Sequence, residues 1–130
     1  MKRLTIIIAA IMMSVFVITV THSMAVGLEG IWEGVGLQYN NKHTWTIKAT
    51  ITRNSYSIDY PSLNCGGKLR LIKASGNRMV FKEELNYGLK RCVNGGKVII
   101  TKSGNNEAKF EWYYPNGKKG AAGTLYRFRK

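Results

Sequence analysis

The chain has 130 residues, with 20 Lys+Arg against 7 Asp+Glu and a formal net charge of +13. That length suits one domain and excludes a multidomain architecture. So strong a positive field favours anionic partners and disfavours cationic ones.

Residues 1–25 read as a secretory signal peptide. Met1-Lys2-Arg3 is a short positive head. Residues 4–20 carry no charge, with Thr5, Ser14 and Thr19 as the polar interruptions. Ser23-x-Ala25 supplies small residues at the exit, so cleavage is expected after Ala25. The alternative is an uncleaved anchor, for which an apolar run of 17 residues lies at the lower edge of what spans a bilayer. The expected location is the periplasm or the outside of the cell.

Residues 26–130 then form a single domain of 105 residues. Loss of Lys2 and Arg3 leaves 18 cations against 7 anions, a net +11. This domain holds two cysteines, Cys65 and Cys92, with 26 residues between them. An even pair in an oxidising compartment closes into a disulfide, and a loop of that length is worth about 3 kcal/mol. With no CxxC and His43 as the domain's single histidine, no metal site and no cofactor are expected.

The predicted elements are strands, because what recurs is period-two alternation broken by turn residues. The first covers residues 30–39. The second, residues 43–52, puts Trp45, Ile47, Ala49 and Ile51 on one face and Thr44, Thr46, Lys48 and Thr50 on the other. The third, residues 55–60, sets Tyr56, Ile58 and Tyr60 on one side and stops at Pro61. Residues 68–74 and 78–87 form a hairpin around Ser75-Gly76-Asn77. Residues 97–102 and 108–114 form another around Ser103-Gly104-Asn105-Asn106. Pro115-Asn116-Gly117-Lys118 turns the chain into a last strand, residues 123–129. Residues 83–91 have a helical turn as the alternative. The fold class is all-β, an antiparallel meander of about eight strands. Closure into an up-and-down, calycin-like barrel removes exposed edges, and a two-sheet sandwich is the alternative.

Several blocks carry a family likeness. They are Gly30-x-Trp32-x-Gly34, Tyr60-Pro61-x-Leu63-x-Cys65-Gly66-Gly67-x-Leu69, Phe81-x-Glu83-x-Leu85-x-x-Gly88-x-x-x-Cys92, Phe110-x-Trp112 and Leu125-x-Arg127. Their order resembles a family of small exported bacterial two-cysteine β domains of no known general activity. It is also similar to modules on the extracellular side of some bacterial serine/threonine kinases. The likeness spans nearly all of residues 26–130 and implies the fold rather than a function. Gly30, Trp32 and Arg127 also resemble the first-strand and last-strand signature of calycins such as lipocalins. That resemblance implies that Trp32 and Arg127 close the barrel through a cation–π contact.

Catalytic sets are sparse. A Ser-His-Asp triad has to use His43 and Asp59, and neither sits in a nucleophile-elbow or oxyanion motif. Glu83 and Glu84 are adjacent, so in a strand they face opposite sides and do not pair for glycoside hydrolysis. Glu83 shares a face with Phe81 and Leu85, which implies burial. A buried carboxylate needs a partner, and Arg127 or Arg70 is the expected one. Gly66-Gly67 and Gly95-Gly96 lack a P-loop frame and read as turns beside the disulfide.

The candidate binding residues are basic. One cluster is Lys118 and Lys119 with Arg127, Arg129 and Lys130 across the last hairpin. The other is Lys68, Arg70, Lys73, Arg78 and Lys82, with Lys90 and Arg91 near the disulfide. Trp45, Tyr56, Tyr60, Trp112, Tyr113, Tyr114 and Tyr126 are mostly core, and any ring left outside near Lys109, Lys118, Lys119 or Arg129 is placed to stack on a sugar or base. The expected function is a non-catalytic binding module. It docks by charge on an anionic protein or envelope polymer, with a membrane surface as a further partner and no nucleic acid expected. One version is a periplasmic inhibitor or immunity protein. The rivals are a carrier of a small apolar ligand and an enzyme acting on envelope glycans. The sequence leaves the oligomeric state open.

Overall fold

The computed structural model describes residues 27–129; the expected signal peptide, Val26 and Lys130 lie outside the described residues. Alternation of apolar and polar residues produces eight strands: β1 (Gly30–Gln38), β2 (Thr44–Ile51), β3 (Tyr56–Tyr60), β4 (Cys65–Ser75), β5 (Arg78–Tyr87), β6 (Lys97–Gly104), β7 (Glu107–Tyr113) and β8 (Lys119–Arg129). Each pairs antiparallel with its neighbour in sequence, and β1 pairs with β8, so the sheet is a closed barrel in the order β1 to β8. Closure leaves no free edge and rules out the two-sheet arrangement.

The strands differ from the sequence reading chiefly at one glycine pair, at the start of the last strand and at one short segment. β4 starts at Cys65 rather than Lys68, and β8 starts at Lys119 rather than Gly123. Gly66-Gly67 read as a turn, yet both residues lie in the ladder. A side chain on Gly67 would sit 2.2 Å from the Glu84 carbonyl oxygen, and one on Gly123 would sit 2.3 Å from that of Val35. These glycines permit close passage of neighbouring backbones instead of reversing the chain. Residues 83–87 belong to β5 and not to a helical turn, because the inward burial of Phe81, Glu83 and Leu85 continues without a break.

Inward side chains form one continuous core inside the barrel. Ile47, Ile51, Ile58, Met79, Phe81, Val98, Ile100, Phe110 and Leu125 are buried, each worth about 1.5–3 kcal/mol of transfer free energy. The end holding the first residues of β1 is closed. Fully buried Trp32 donates its indole N–H to the Leu28 carbonyl at 2.9 Å. The Arg127 guanidinium lies 4.5 Å above the Trp32 ring and donates to the Gly27 carbonyl. Trp32 and Arg127 are thus joined as the calycin likeness implies, by register as well as by contact, since they are cross-strand partners.

Candidate functional site

The opposite end is open. The β1–β2, β3–β4, β5–β6 and β7–β8 connections all lie there, and inside them is a cavity of about 130 Å³. Its lining comes from inward positions toward that end of the strands: Gln38 of β1, Trp45 of β2, Tyr60 of β3, Glu83 of β5, Trp112 of β7 and Ala121 of β8, with Leu63, Arg91, Val93 and Tyr114 from the connections. The Cys65–Cys92 disulfide ties the β5–β6 connection to the start of β4 with its Cα atoms 6.4 Å apart. It thereby holds Arg91 and Val93 at the rim. Two further depressions flank the mouth, one beside Lys118 and Lys119, the other beside Lys42 and His43.

Small residues make room for the large rings. The Trp45 indole crosses Gly36, where a Cβ would fall 2.9 Å from it. Trp112 lies over both Gly96 and Gly120, where a Cβ would come within 2.6 Å and 2.8 Å of its indole. Trp112 and Tyr114 meet edge to face at 4.6 Å, as do Trp45 and Tyr60 at 6.3 Å.

Glu83 is 1% exposed and carries the chemistry of this cavity. Neither arginine expected to pair with it does so. Arg127 is spent on Trp32 at the other end of the barrel, and Arg70 points outward and binds Glu84 at 2.8 Å. The Glu83 carboxyl instead accepts from the Tyr60 hydroxyl at 2.5 Å and from the Trp112 indole at 3.3 Å. Among the described residues no lysine or arginine forms an ion pair with it. Burial therefore pushes the Glu83 carboxyl above the usual range, against the opposing pull of those two hydrogen bonds. Burial, reinforced by Glu83, likewise raises the Tyr60 phenol. Across the cavity, the Trp45 indole nitrogen is buried and meets no acceptor among the described residues.

The outer wall beside this cavity is basic. Cross-strand register sets Arg70 opposite Lys82, Lys82 opposite Lys97, Lys97 opposite Tyr113 and Tyr113 opposite Lys119. Three adjacent strands thus place three cations side by side. Lys97 caps the Tyr113 ring at 4.4 Å, and Lys119 binds Glu111 at 3.0 Å. Burial raises the Glu111 carboxyl, but hydrogen bonds from Lys119 and Tyr113 outweigh it and leave the group below its ordinary value.

The structure keeps one predicted cluster and divides the other. Lys68, Arg70, Lys73, Arg78 and Lys82 share the β4–β5 wall, Arg78 at its far hairpin, while Lys90 and Arg91 lie in the connection at the open end. Lys118 and Lys119 are also at the open end. Arg127 and Arg129 lie at the other end of β8, which at about 3.3 Å per residue is about 30 Å away. The cluster looked compact because β8 was expected to start four residues later. Lys97 and Lys42 belong with the open end and were missed, as were Trp45, Trp112 and Gln38 as cavity walls. The cue for those walls was the glycine set at 36, 96 and 120.

His43 and Asp59 do not come together. Asp59 faces Lys48, five residues along from His43 and so about 17 Å away, and accepts from the Tyr87 hydroxyl at 2.5 Å. That hydrogen bond is the main reason the Tyr87 phenol is raised to about 12. Among the described residues, no three His, Cys, Asp or Glu side chains group as metal ligands.

Comparison with family models, with curated proteins and with solved structures finds no match for this chain. The likeness carried by the Gly30-x-Trp32 and Cys65-Gly66-Gly67 blocks therefore rests on those residues alone.

Proposed function

We propose that the domain is an exported, non-catalytic binding module that docks on an anionic component of the bacterial envelope. The observation that carries this is the row Arg70, Lys82 and Lys97 on adjacent strands. Like charges set directly opposite each other destabilise a sheet. A sheet that keeps three of them in line, and adds Lys42, Arg91, Lys118 and Lys119 around its open end, is built to meet an anion. The net +11 supplies long-range steering toward such a partner. An inhibitor or immunity protein is the version in which that partner is an acidic protein.

A carrier of a small apolar ligand is less well supported. Sites for small molecules usually run to about 300–1,000 Å³, and the cavity of about 130 Å³ takes one small group. The test is an affinity experiment with the oxidised domain immobilised and envelope extract passed over it in salt steps. A defined anionic species that elutes at moderate salt, and is not retained by a variant with Arg70, Lys82 and Lys97 changed to Gln, fits the proposal. Equal retention by that variant counts against it.

A further inference from the structure

We propose that the open-end cavity is a receptor for the acetamido group of an N-acetylated sugar, so that the envelope component bound is an anionic glycan containing N-acetylated units. This rests on the docking function proposed above and names its ligand. Two residues that line the cavity, on different walls, carry buried groups with hydrogen-bonding capacity to spare. On β2 the buried Trp45 indole N–H has no acceptor among the described residues. On β5 the Glu83 carboxyl accepts one bond at each oxygen, and each oxygen keeps a further lone pair. β2 and β5 are separated by two strands around the barrel, so donor and acceptor come from different sides of the cavity.

That pattern discriminates between ligands. A cationic group offers donors alone, leaves Trp45 unpaired and has to pass Arg91 and the neighbouring lysines. A carboxylate offers acceptors alone and meets Glu83. A trans secondary amide presents its C=O and N–H from opposite edges, one for Trp45 and one for Glu83. The methyl of an acetyl group then occupies the apolar lining provided by Tyr60 and Ala121. A cavity of about 130 Å³ is close to the roughly 150 Å³ that holds one benzene, so it admits the acetamido group and leaves the sugar ring at the mouth. There Trp112 and Tyr114 offer ring surface for stacking, and the rim cations face the acidic groups of the same polymer.

The experiment is a titration of the oxidised, signal-free domain with N-acetylglucosamine, followed by the tryptophan indole N–H resonances in nitrogen-15 NMR. Glucose, glucosamine and acetamide serve as parallel probes, and retention on a sulfated polymer is measured separately. The expected result is a saturable downfield shift of the Trp45 indole N–H with N-acetylglucosamine. Glucose and glucosamine give none, and acetamide binds more weakly. Trp45→Phe keeps a ring and removes the donor, and lowers affinity about five-fold, as expected for one hydrogen bond. No saturable shift, with salt-dependent retention on the sulfated polymer intact, overturns the acetamido site and leaves the docking function standing. Loss of retention in the Arg70, Lys82 and Lys97 variant with the sugar shift unchanged supports two separable sites. Glucose binding as tightly as N-acetylglucosamine overturns the amide assignment. Acetamide binding as tightly overturns the sugar and points to an Asn or Gln side chain of a protein. The wild-type titration decides the matter even if Trp45→Phe fails to fold.

Discussion

Replacing Lys82 by Gln should make the domain more stable and a worse binder. Lys82 stands between Arg70 and Lys97 as the cross-strand partner of both. Side chains in such pairs start about 5 Å apart, and long flexible heads separate to about 6 Å. In water each repulsion then costs about 0.7 kcal/mol. Glu84, two residues along the same face, is about 7 Å away and returns about 0.6 kcal/mol. The net gain on neutralising Lys82 is about 0.8 kcal/mol at low ionic strength. Screening at physiological salt, where the Debye length is about 8 Å, roughly halves it. Urea unfolding of wild type and Lys82→Gln at 10 mM and 500 mM salt measures this directly, and elution from a sulfated matrix measures the binding. A stabilisation that fades with salt, together with earlier elution, is the expected pair of results. A variant that is less stable at low salt, or that elutes with the wild type, would refute the inference that this row is held against its own repulsion for binding.

Glu83→Gln should change the pH dependence of stability. The folded-state value of Glu83 is raised above that of the unfolded chain. The folded state therefore binds the extra proton, and this group favours folding below about pH 4.3, the usual glutamate value. The advantage is lost as pH rises through the raised folded value, at about 1.4 kcal/mol for each unit of elevation. Gln carries no such proton, so urea melts at pH 4, 6 and 8 should show the variant gaining on the wild type with pH; parallel profiles would mean that Glu83 is not protonated more readily in the fold. Changing Cys65 and Cys92 together to Ser should lower unfolding free energy by about 3 kcal/mol and broaden the Arg91 and Val93 amide resonances, because the bridge is what anchors their connection. Arg127→Met should cost about 1–2 kcal/mol by removing the contact over Trp32 and the hydrogen bond to Gly27. Its binding of N-acetylglucosamine should be unchanged, because Arg127 lies at the closed end.

The strands were legible because one face of each is dry. Period-two burial is clear at Ile47, Ala49 and Ile51 and again at Met79, Phe81, Glu83 and Leu85. Trp32 and Arg127 were legible as a pair because they lie on the first and last strands, which a closed barrel must join. The site was less so, for two reasons. Glu83 announced its burial by its place between Phe81 and Leu85, but its partners are 23 and 29 residues away in sequence. A neutral hydroxyl and an indole carry no charge signal to match against a carboxylate, so arginines were the natural expectation. The cationic row depends on register. Lys97 stands at the very start of β6 and aligns with Lys82 only in the observed pairing; a slip of one residue would send it to the interior.

The two ends of the barrel are finished differently, and that difference supports placing the proposed binding at the open end. At the closed end, most local costs are met. The Trp32 N–H has Leu28, and although the Arg127 Nε is unpartnered, its guanidinium has a carbonyl and a ring face. At the open end they accumulate. Among the described residues a buried carboxyl has no cation and a buried indole N–H has no acceptor, and three cations stand in line on the adjoining wall. A sequence selected for stability alone would relieve these with a Gln at 83, a Phe at 45 and a Glu at 82. Violations of local rules that gather mostly at one end are what the proposed binding surface would show. On that proposal the groups left wanting there describe the ligand by complement: negative charge outside, and an uncharged donor and acceptor within.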